Sequence, residues 1–524
     1  AKMESRLLKN KYFLYVTEFF SGMSVMAVEL GASRLMAPYF SSSQIVWTVI
    51  IGVIMIAMAI GNVWGGRSAD KRHDPDRLYR RLLIAAVWIA LIPFVGRYLI
   101  AGISLLLAIF IKSNFLVWAA LFTCLAIFAF PCVLLGTVTP SLVKFSVSNL
   151  DDNGKTVGEL GALNTIGSII GTFLPTFVTI PAVGTAATFL IFSAVLAAIA
   201  VVYFVTVKRK RGLCIGTAAV LLILALLTPG FSFAFWEKDV TLEDESIYNY
   251  LQVKDSEEQT ILSTNVLFGV QSIKTKNQEL TGMYYDYALA APVMAGINTK
   301  EDNQVMILGL GSGTFADYCD RYFPGTKIQG AEIDKKIADI ATDYFGLPES
   351  VEVAVEDGRA YLTASEDSYD VIMVDAYQDI TIPFQMSSVE FFSQVKNHLK
   401  DNGVMVVNMN MKSSSEDSIN DYLCDTIASV FKYVYTVPVD GGTNMEVFAS
   451  NEAGLPAMLE KNTEKLPKGE LKSMMETVSA EISSYEGKDR ILTDDKAPVE
   501  LLGMKVLDEI IGEELDYYRE LYLG

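Results

Sequence analysis

Hydrophobic and polar positions divide the chain near residue 236. Before that point long apolar stretches alternate with short basic ones, whereas after it short apolar runs alternate with amphipathic segments. A transmembrane helix needs about 20 apolar residues. Stretches of that kind lie at 12–37, 44–66, 114–140, 160–183, 184–207 and 213–235. Residues 82–112, apolar except for Arg97 and Lys112, are predicted to form one long kinked helix or two short ones. The pattern therefore predicts seven or eight transmembrane helices.

The second part has the pattern of a parallel sheet. Residues 241–300 contain short strand-like runs followed by a helical segment, which predicts a small β subdomain. From residue 304 onward, helical segments separate the runs "QVMILGL", "TKIQGAEI", "VEVAVED", "YDVIMVDAY" and "GVMVVNMN". Such alternation is typical of a doubly wound α/β sheet. Two last runs, "KYVYTVPV" and "TNMEVFAS", flank an Asp-Gly turn, which predicts a hairpin. This Rossmann-like layout is that of class I S-adenosylmethionine-dependent methyltransferases.

Charge follows the same division. Residues 1–236 hold 19 Lys+Arg and 9 Asp+Glu, a net of +10, and the remainder holds 23 and 52, a net of −29. The acidic half argues against nucleic acid and is compatible with a cationic substrate. Five scattered cysteines form neither a disulfide framework nor a zinc spacing, so we expect no metal. Because His73 and His398 are the two histidines, acid–base chemistry is expected to use carboxylates or tyrosines.

The basic loops are compatible with two orientations of the chain in the membrane. The segments 1–11, 67–81 and "KRKR" at 208–211 all favour the cytoplasmic side. Seven helices satisfy all three segments and leave the acidic half outside, whereas eight place that half inside and "KRKR" outside. We expect a multi-pass protein of the cell membrane with its soluble half in the cytoplasm, because cofactor supply is a harder constraint than the charge of one loop.

The first apolar stretch carries three charged residues, Glu18, Glu29 and Arg34. Glu18 and Glu29 are about three helical turns apart and share a helix face. Charges at membrane depth usually face the bundle interior or a wet cavity. The alternatives are a binding site or pathway for a cation and a structural Glu29–Arg34 pair.

A glycine turn, "GLGSGT" from Gly309 to Thr314, follows the first strand of the predicted sheet. It departs from the G-x-G-x-x-G turn of dinucleotide folds, and no lysine follows as in a P-loop. Glu332 ends the second strand, placed to accept both ribose hydroxyls, and Asp357-Gly358 ends the third, placed to hold an adenine amino group. This three-part spacing favours an adenosyl sulfonium ligand.

Two further carboxylates, Asp375 and Asp379, follow the fourth strand. Open α/β sheets bind ligands at this edge. One carboxylate can take a proton from an ammonium group, and the other can anchor a cationic tail. A neighbouring sulfonium should keep Asp375 ionised at neutral pH. The alternative roles are those of a helix cap or a turn aspartate.

Together these motifs resemble the spermidine synthases, or aminopropyltransferases, and specifically their membrane-fused relatives. The soluble resemblance covers about 243–450 and includes "ILGLGSG", "GAEID", "VEDGRAYL", "YDVIMVDAY" and "IPFQMSSVEFF", with "LTDDKAPVE" further on. The membrane resemblance covers 21–70 and 164–185. We therefore predict a transmembrane helical domain at 1–236, a small β subdomain and helix at 237–300, an S-adenosylmethionine-binding domain at 301–451 and a C-terminal helical extension at 452–524.

The resemblance implies roles for individual residues. Asp375 and Asp379 are the expected catalytic residues. The expected ligand-binding residues are Asn249, Gln271, Tyr285, Gly309, Gly311, Ser312, Gly313, Glu332, Asp357 and Gly358. The chain departs from the soluble family at two positions: Ser312 replaces an aspartate that contacts the aminopropyl donor, and the strand-four motif is D-x-x-x-D instead of D-x-x-D. The donor can thus be S-adenosylmethionine or its decarboxylated form.

The leading hypothesis is a membrane-embedded transferase that moves an aminopropyl-type group to a polyamine and releases methylthioadenosine. The acceptor would be a putrescine-like amine, and the other partners a lipid bilayer and a further copy in a homo-oligomer. The alternatives are an S-adenosylmethionine lyase or cyclase acting by self-attack, a methyltransferase, and a polyamine or nucleoside transporter with a soluble sensor domain. The membrane half can also be an anchor whose small residues Gly161, Gly167 and Gly171 support oligomerisation.

Overall fold

The computed structural model describes residues 10–72, 74–146, 153–266, 270–377, 381–410, 413 and 415–523. The chain forms two compact units. The first comprises residues 1–238, 244–250 and 519–524, and the second comprises residues 239–243 and 251–518.

The first unit is helical. Its helices are α1 (Lys11–Phe40), α2 (Gln44–Lys71), α3 (Pro75–Phe110), α4 (Phe115–Ile127), α5 (Ala129–Gly136), α6 (Val138–Ser146), α7 (Asn153–Leu174), α8 (Ile180–Val207) and α9 (Arg211–Leu227). Side chains cap the first three: the carbonyl oxygen of the Asn10 side chain, the Ser43 hydroxyl and the Asp74 carboxylate each accept a backbone N–H of the first turn. Apolar sequence and capped starts together produce these long helices.

Six apolar helical stretches among the described residues are long enough to cross a membrane. One of them, 154–207, extends over 54 residues and contains a π-helical turn at Pro175–Thr179 and a non-helical residue, Gly184, with φ 83° and ψ 168°. Residues 75–110 form one helix of 36 residues with Pro93 inside, which is the first of the two predicted alternatives. The predicted count of seven or eight transmembrane helices stays a prediction.

The apolar stretch 114–140 differs from the expectation of one helix. It is divided among α4, α5 and α6, with breaks at Phe128 and Thr137. The physical reason is the pair of prolines in this stretch. Pro131 and Pro140 each lie in the first turn of the helix that follows a break, where a missing N–H leaves no intrahelical hydrogen bond unmade.

Two charged residues of α1, Glu18 and Arg34, form hydrogen bonds within the first unit. Glu18 is buried, and its Oε1 accepts hydrogen bonds from Thr139 Oγ1 at 2.6 Å and Asn164 Nδ2 at 2.8 Å. Arg34 donates to the backbone carbonyls of Ser246 and Ile247 at 2.7 and 2.5 Å. Polar groups of α1 therefore tie it to α6, α7 and residues 246–247.

The described residues form two sheets, whose strands lie mostly in the second unit. The strands are β1 (Leu242–Glu245), β2 (Tyr250–Asp255), β3 (Gln259–Ser263), β4 (Ser272–Thr275), β5 (Gln304–Leu308), β6 (Lys327–Ala331), β7 (Val351–Ala354), β8 (Tyr369–Val374), β9 (Leu399–Met409), β10 (Tyr433–Pro438), β11 (Met445–Ser450) and β12 (Ser483–Ser484). The first four form the small sheet in sequence order. The other eight form one sheet in the order β12-β10-β11-β9-β8-β5-β6-β7.

Helices connect the strands of the large sheet. They are α10 (Tyr284–Ala288), α11 (Ala290–Met294), α12 (Thr314–Tyr322), α13 (Lys335–Asp343), α14 (Gly358–Ala364), α15 (Val389–Asn397), α16 (Ile419–Val430), α17 (Leu455–Thr463), α18 (Glu470–Glu481) and α19 (Val499–Leu523). Strands β5 to β9 are parallel, and β10 and β11 form the predicted antiparallel hairpin. The predicted doubly wound sheet is confirmed.

The strand order reverses between β5 and β8. The chain runs from β5 outward through β6 and β7, and then returns to place β8 and β9 on the other side of β5. Ligands of open α/β sheets bind outside the carboxyl ends of the strands at such a switch point. The glycine turn after β5 and Asp375 after β8 both lie there.

Candidate active site

The glycine turn packs against the end of β8. Gly309 has φ 88°, and a Cβ atom at this residue would lie 2.6 Å from the backbone oxygen of Asp375. The backbone N–H of Asp375 donates to the Leu308 carbonyl at 2.9 Å. Only glycine permits both this conformation and this close approach. The turn and Asp375 are therefore neighbours, as the predicted topology requires.

Glu332, which follows β6, holds the middle of the glycine turn. Its Oε2 accepts the backbone N–H of Gly311 at 2.9 Å, and its Oε1 accepts the backbone N–H of Asp334 at 3.0 Å. Burial raises the pKa of Glu332, and the two N–H groups oppose that effect. An ionised carboxylate has about four acceptor positions, so it can accept ribose hydroxyls in addition to these bonds.

Asp357 and Gly358 begin α14 at the end of β7. Asp357 Oδ1 caps the helix by accepting the Ala360 N–H at 2.9 Å. A Cβ atom at Gly358 would lie 3.4 Å from Leu308 Cβ, so this helix start approaches the end of β5. The helix-cap alternative for an aspartate thus applies to Asp357, whose carboxylate keeps acceptor capacity for a ligand amino group.

Asp375 accepts two side-chain hydrogen bonds. Tyr284 Oη donates to its Oδ2 at 2.6 Å, and Asn408 Nδ2 donates to its Oδ1 at 2.8 Å. Burial raises the pKa of Asp375 to about 7, against the lowering effect of these two bonds. A bound sulfonium, from which the sequence predicts an ionised Asp375, would lower this pKa instead. Desolvation thus brings this carboxyl group to partial protonation at neutral pH.

Gln271 and Tyr285 lie together beside this group. Tyr285 Oη donates to the Gln271 carbonyl at 3.2 Å, and Gln271 Oε1 accepts from Thr264 Oγ1 at 2.6 Å. The Tyr284 and Tyr285 rings are 4.0 Å apart between centroids. The two predicted residues are thus joined to the Asp375 group through Tyr284.

Ser312 and Gly313 complete the turn in a buried position. The Ser312 side chain is 2% exposed, and its Oγ lies 2.9 Å from Thr314 Oγ1, which donates to the Ile273 carbonyl at 3.1 Å. Gly313 has φ 78°, and a Cβ atom there would lie 2.4 Å from Leu347 Cδ1. The Ser312 hydroxyl therefore contacts Thr314 at the end of the turn.

The described structure does not test the roles of two further predicted residues. Asn249 belongs to the first unit, where its backbone N–H donates to Ser246 Oγ at 2.9 Å and its carbonyl accepts the Ser246 N–H at 2.8 Å. Asp379 lies outside the described residues. Their expected roles stay predictions.

Sequence reasoning missed Tyr284 and Asn408. Tyr284 stands beside the predicted Tyr285 in "MYYDYA", and no periodic pattern distinguishes the two tyrosines. Asn408 is a polar residue near the end of the otherwise apolar run "VMVVNM". A buried polar residue at the carboxyl end of a central strand is a usable signal, because such residues need hydrogen-bond partners.

Comparisons with known proteins identify the family of this chain. Residues 287–454 match the spermine/spermidine synthase domain. The chain is 48% identical over 337 residues to a probable polyamine aminopropyl transferase of Bifidobacterium longum, covering 61% of this chain and 75% of that protein. It is 25% identical over 300 residues to a polyamine aminopropyltransferase of Vibrio vulnificus, covering 54% and 96%.

A solved structure, a probable spermidine synthase from Corynebacterium glutamicum, is 19% identical with a TM-score of 0.37, covering 48% of this chain and 99% of that one. The assignment rests on the relatives in sequence. The chain belongs to the spermidine synthase-like family and is an aminopropyltransferase-like enzyme.

Proposed function

We propose that this enzyme transfers the aminopropyl group of decarboxylated S-adenosylmethionine to a polyamine such as putrescine and releases methylthioadenosine. The single observation that carries the proposal is the carboxylate of Asp375, held by Tyr284 and Asn408 directly beside the glycine turn. Intact S-adenosylmethionine is the alternative donor, because Ser312 replaces the family aspartate that contacts the donor amine.

Asp375 is the proposed general base. Its pKa of about 7 suits a group that must accept a proton near neutral pH. The Tyr284 and Asn408 bonds fix one carboxylate oxygen each, and the remaining lone pairs can accept from the ammonium group of the acceptor. A bound sulfonium favours the ionised carboxylate, so donor binding prepares the base.

The proposed chemistry is an in-line displacement. Asp375 takes one proton from the acceptor ammonium, and the freed nitrogen lone pair attacks the methylene carbon beside the sulfonium. The new N–C bond forms as the C–S bond breaks. The electron pair of the broken C–S bond stays on the sulfur, which becomes neutral, and methylthioadenosine is released. The product nitrogen keeps its positive charge, and the proton on Asp375 leaves to solvent. Positioning of the two reactants supplies much of the acceleration.

The identity of the nucleoside product tests this proposal. Purified protein would be incubated with each donor, with and without putrescine, and the products identified by mass. Methylthioadenosine and spermidine, formed only when putrescine is present, are the expected result. S-adenosylhomocysteine would instead indicate a methyltransferase. Methylthioadenosine formed from S-adenosylmethionine alone would indicate self-attack by the carboxylate of the ligand.

We also propose that the first unit is embedded in a cell membrane, with the catalytic unit in the cytoplasm. The proposal is supported by the six apolar stretches. The 54-residue stretch at 154–207 would be about 80 Å long as a continuous helix, far more than one bilayer crossing needs. Its break at Gly184 permits two crossings. Protease digestion of vesicles with known sidedness tests the orientation, and protection from external protease in right-side-out vesicles is expected.

A further inference from the structure

Glu446, in β11, is a buried acid without a hydrogen-bond partner. Its side chain is 0% exposed, and neither carboxylate oxygen has a partner within the part of the chain that the structure describes. Buried polar groups are nearly always paired, and an unpaired one destabilises the fold. A glutamate in this position therefore indicates that something outside the described protein atoms completes it.

The surroundings of Glu446 connect it to Asp375. Glu446 lies directly opposite Asn408 in the antiparallel register of β11 and β9, and opposite residues share one face of a sheet. Asn408 donates to Asp375 through Nδ2 and accepts from Asn444 Nδ2 through Oδ1 at 2.8 Å. Burial, and then the Asp375 carboxylate, raise the pKa of Glu446. The two acids thus flank Asn408 at the carboxyl edge of the sheet.

The strand order separates Glu446 from the adenosyl residues. We call the ends of β5, β6 and β7 the donor side, since they carry the glycine turn, Glu332 and Asp357. We call the carboxyl end of β9 and the amino end of β11 the acceptor side, and Asp375, at the end of β8, lies between the two sides. β11 is two strands from β8, or about 10 Å, in the direction away from β6. A donor bound at Glu332 would leave Glu446 to the other substrate.

Resting on the proposed function, we propose that Glu446 accepts hydrogen bonds from the second amino group of a diamine acceptor whose first amino group lies at Asp375. A primary ammonium has three N–H donors and a positive charge, which together compensate a desolvated carboxylate. A hydroxyl or a methyl group at that end would leave the charge uncompensated. Glu446 is therefore a specificity residue that selects diamines over monoamines of the same length.

Glu446→Gln tests the proposal, because it keeps the shape and removes the charge. We expect the KM of Glu446→Gln for putrescine to be at least tenfold higher than that of wild type. Its kcat at saturation should lie within a few-fold of wild type. The ratio of kcat/KM for putrescine to that for butylamine should fall by a similar factor. The matched control is Glu452→Gln, an exposed residue just beyond β11, which should leave both values unchanged. An unchanged ratio in Glu446→Gln overturns the proposal.

Stability separates this role from a structural one. Since the carboxylate has no partner to lose, the melting temperature of Glu446→Gln should equal or exceed that of wild type. A melting temperature clearly below wild type for both Glu446→Gln and the apolar Glu446→Met would show that the residue supports the fold, and would overturn the proposal. If only the glutamine variant is destabilised, the kinetic comparison is made with Glu446→Met.

Calorimetric titration of putrescine into protein saturated with methylthioadenosine needs no turnover. If wild type binds putrescine at least tenfold more tightly than Glu446→Gln but forms no spermidine, the proposed reaction fails and the Glu446 site stands. If wild type forms spermidine and Glu446→Gln keeps the preference for diamines, the proposed role of Glu446 is wrong and the proposed reaction is supported. Wild-type protein that binds no putrescine overturns the site.

Discussion

The buried acids on the donor side and on the acceptor side of the sheet differ in their hydrogen-bond partners. On the donor side the Glu332 carboxylate is bound by two backbone N–H groups of its own domain. On the acceptor side Glu446 is equally enclosed but has no partner among the described residues. Asp375 lies between the two and is held by side chains, Tyr284 and Asn408. The donor-side carboxylate is thus held by the main chain, whereas no described group holds the Glu446 carboxylate.

This difference indicates an order of events. A carboxylate held by the main chain is positioned at no further cost when the ribose arrives. Burial raises the pKa of both Asp375 and Glu446, and each ionised carboxylate opposes the ionisation of the other, so a bound dication stabilises the state in which both are ionised. The sulfonium of the donor supplies the first positive charge, and the diamine supplies the others. We therefore expect donor binding to precede and to strengthen acceptor binding.

The largest effect is expected where the two sides meet. Asp375→Asn removes the base but can still accept the Tyr284 hydroxyl, so turnover should fall by about 10²–10⁴ while methylthioadenosine affinity is retained. Steady-state kinetics and calorimetry measure the two quantities. Asp401→Asn, at an exposed position of β9, is the matched control. Wild-type turnover in Asp375→Asn would mean that Asp375 is structural and that the reaction needs no base.

The next effect should be confined to the donor side. Glu332→Gln places an amide nitrogen against a backbone N–H donor and removes the charge that strengthens ribose bonds, each worth about 1.5–3 kcal/mol. Affinity for methylthioadenosine and for both donors should fall tenfold or more. The control variant Glu356→Gln changes an exposed glutamate after β7 and should bind these ligands normally. Unchanged calorimetric affinities in Glu332→Gln would remove the adenosyl site from the donor side.

The donor side was also the side that the sequence predicted. Its glycine turn, Glu332 and Asp357 each follow directly from the end of a recognisable strand, so their placement depends on local order alone. The acceptor side joins Tyr284, Asn408 and Glu446 from segments far apart in the chain, and their meeting depends on strand register. The apolar pattern predicted the large sheet and its hairpin for the same local reason. It did not predict the breaks near Pro131 and Pro140, because apolarity alone does not mark helix ends.

A pH titration should distinguish Asp375 from Glu332 with two ligands. Since the pKa of Asp375 is raised to about 7, the carboxylate is ionised above that pH and is lost as pH falls through it. A cationic sulfonium donor should therefore bind more tightly as pH rises through about 7, up to tenfold per unit below it. Neutral methylthioadenosine should show a smaller dependence, and Asp375→Asn should abolish the difference. Parallel pH profiles for both ligands in wild type would contradict the placement of Asp375 beside the sulfonium.

The smallest effect is expected at Ser312, where the donor tail would lie. Ser312→Asp adds an anion at the position that the family uses to contact the donor amine, and an anion repels the carboxylate of intact S-adenosylmethionine. Because Ser312 is buried against Thr314, the added charge should also weaken the binding of both donors by a similar factor. The informative quantity is thus the ratio of the two affinities, which should shift a few-fold toward decarboxylated S-adenosylmethionine. Ser312→Asn, similar in size but neutral, should leave the ratio unchanged. If the aspartate variant also leaves it unchanged, the donor tail extends away from the glycine turn, and donor choice is made on the acceptor side.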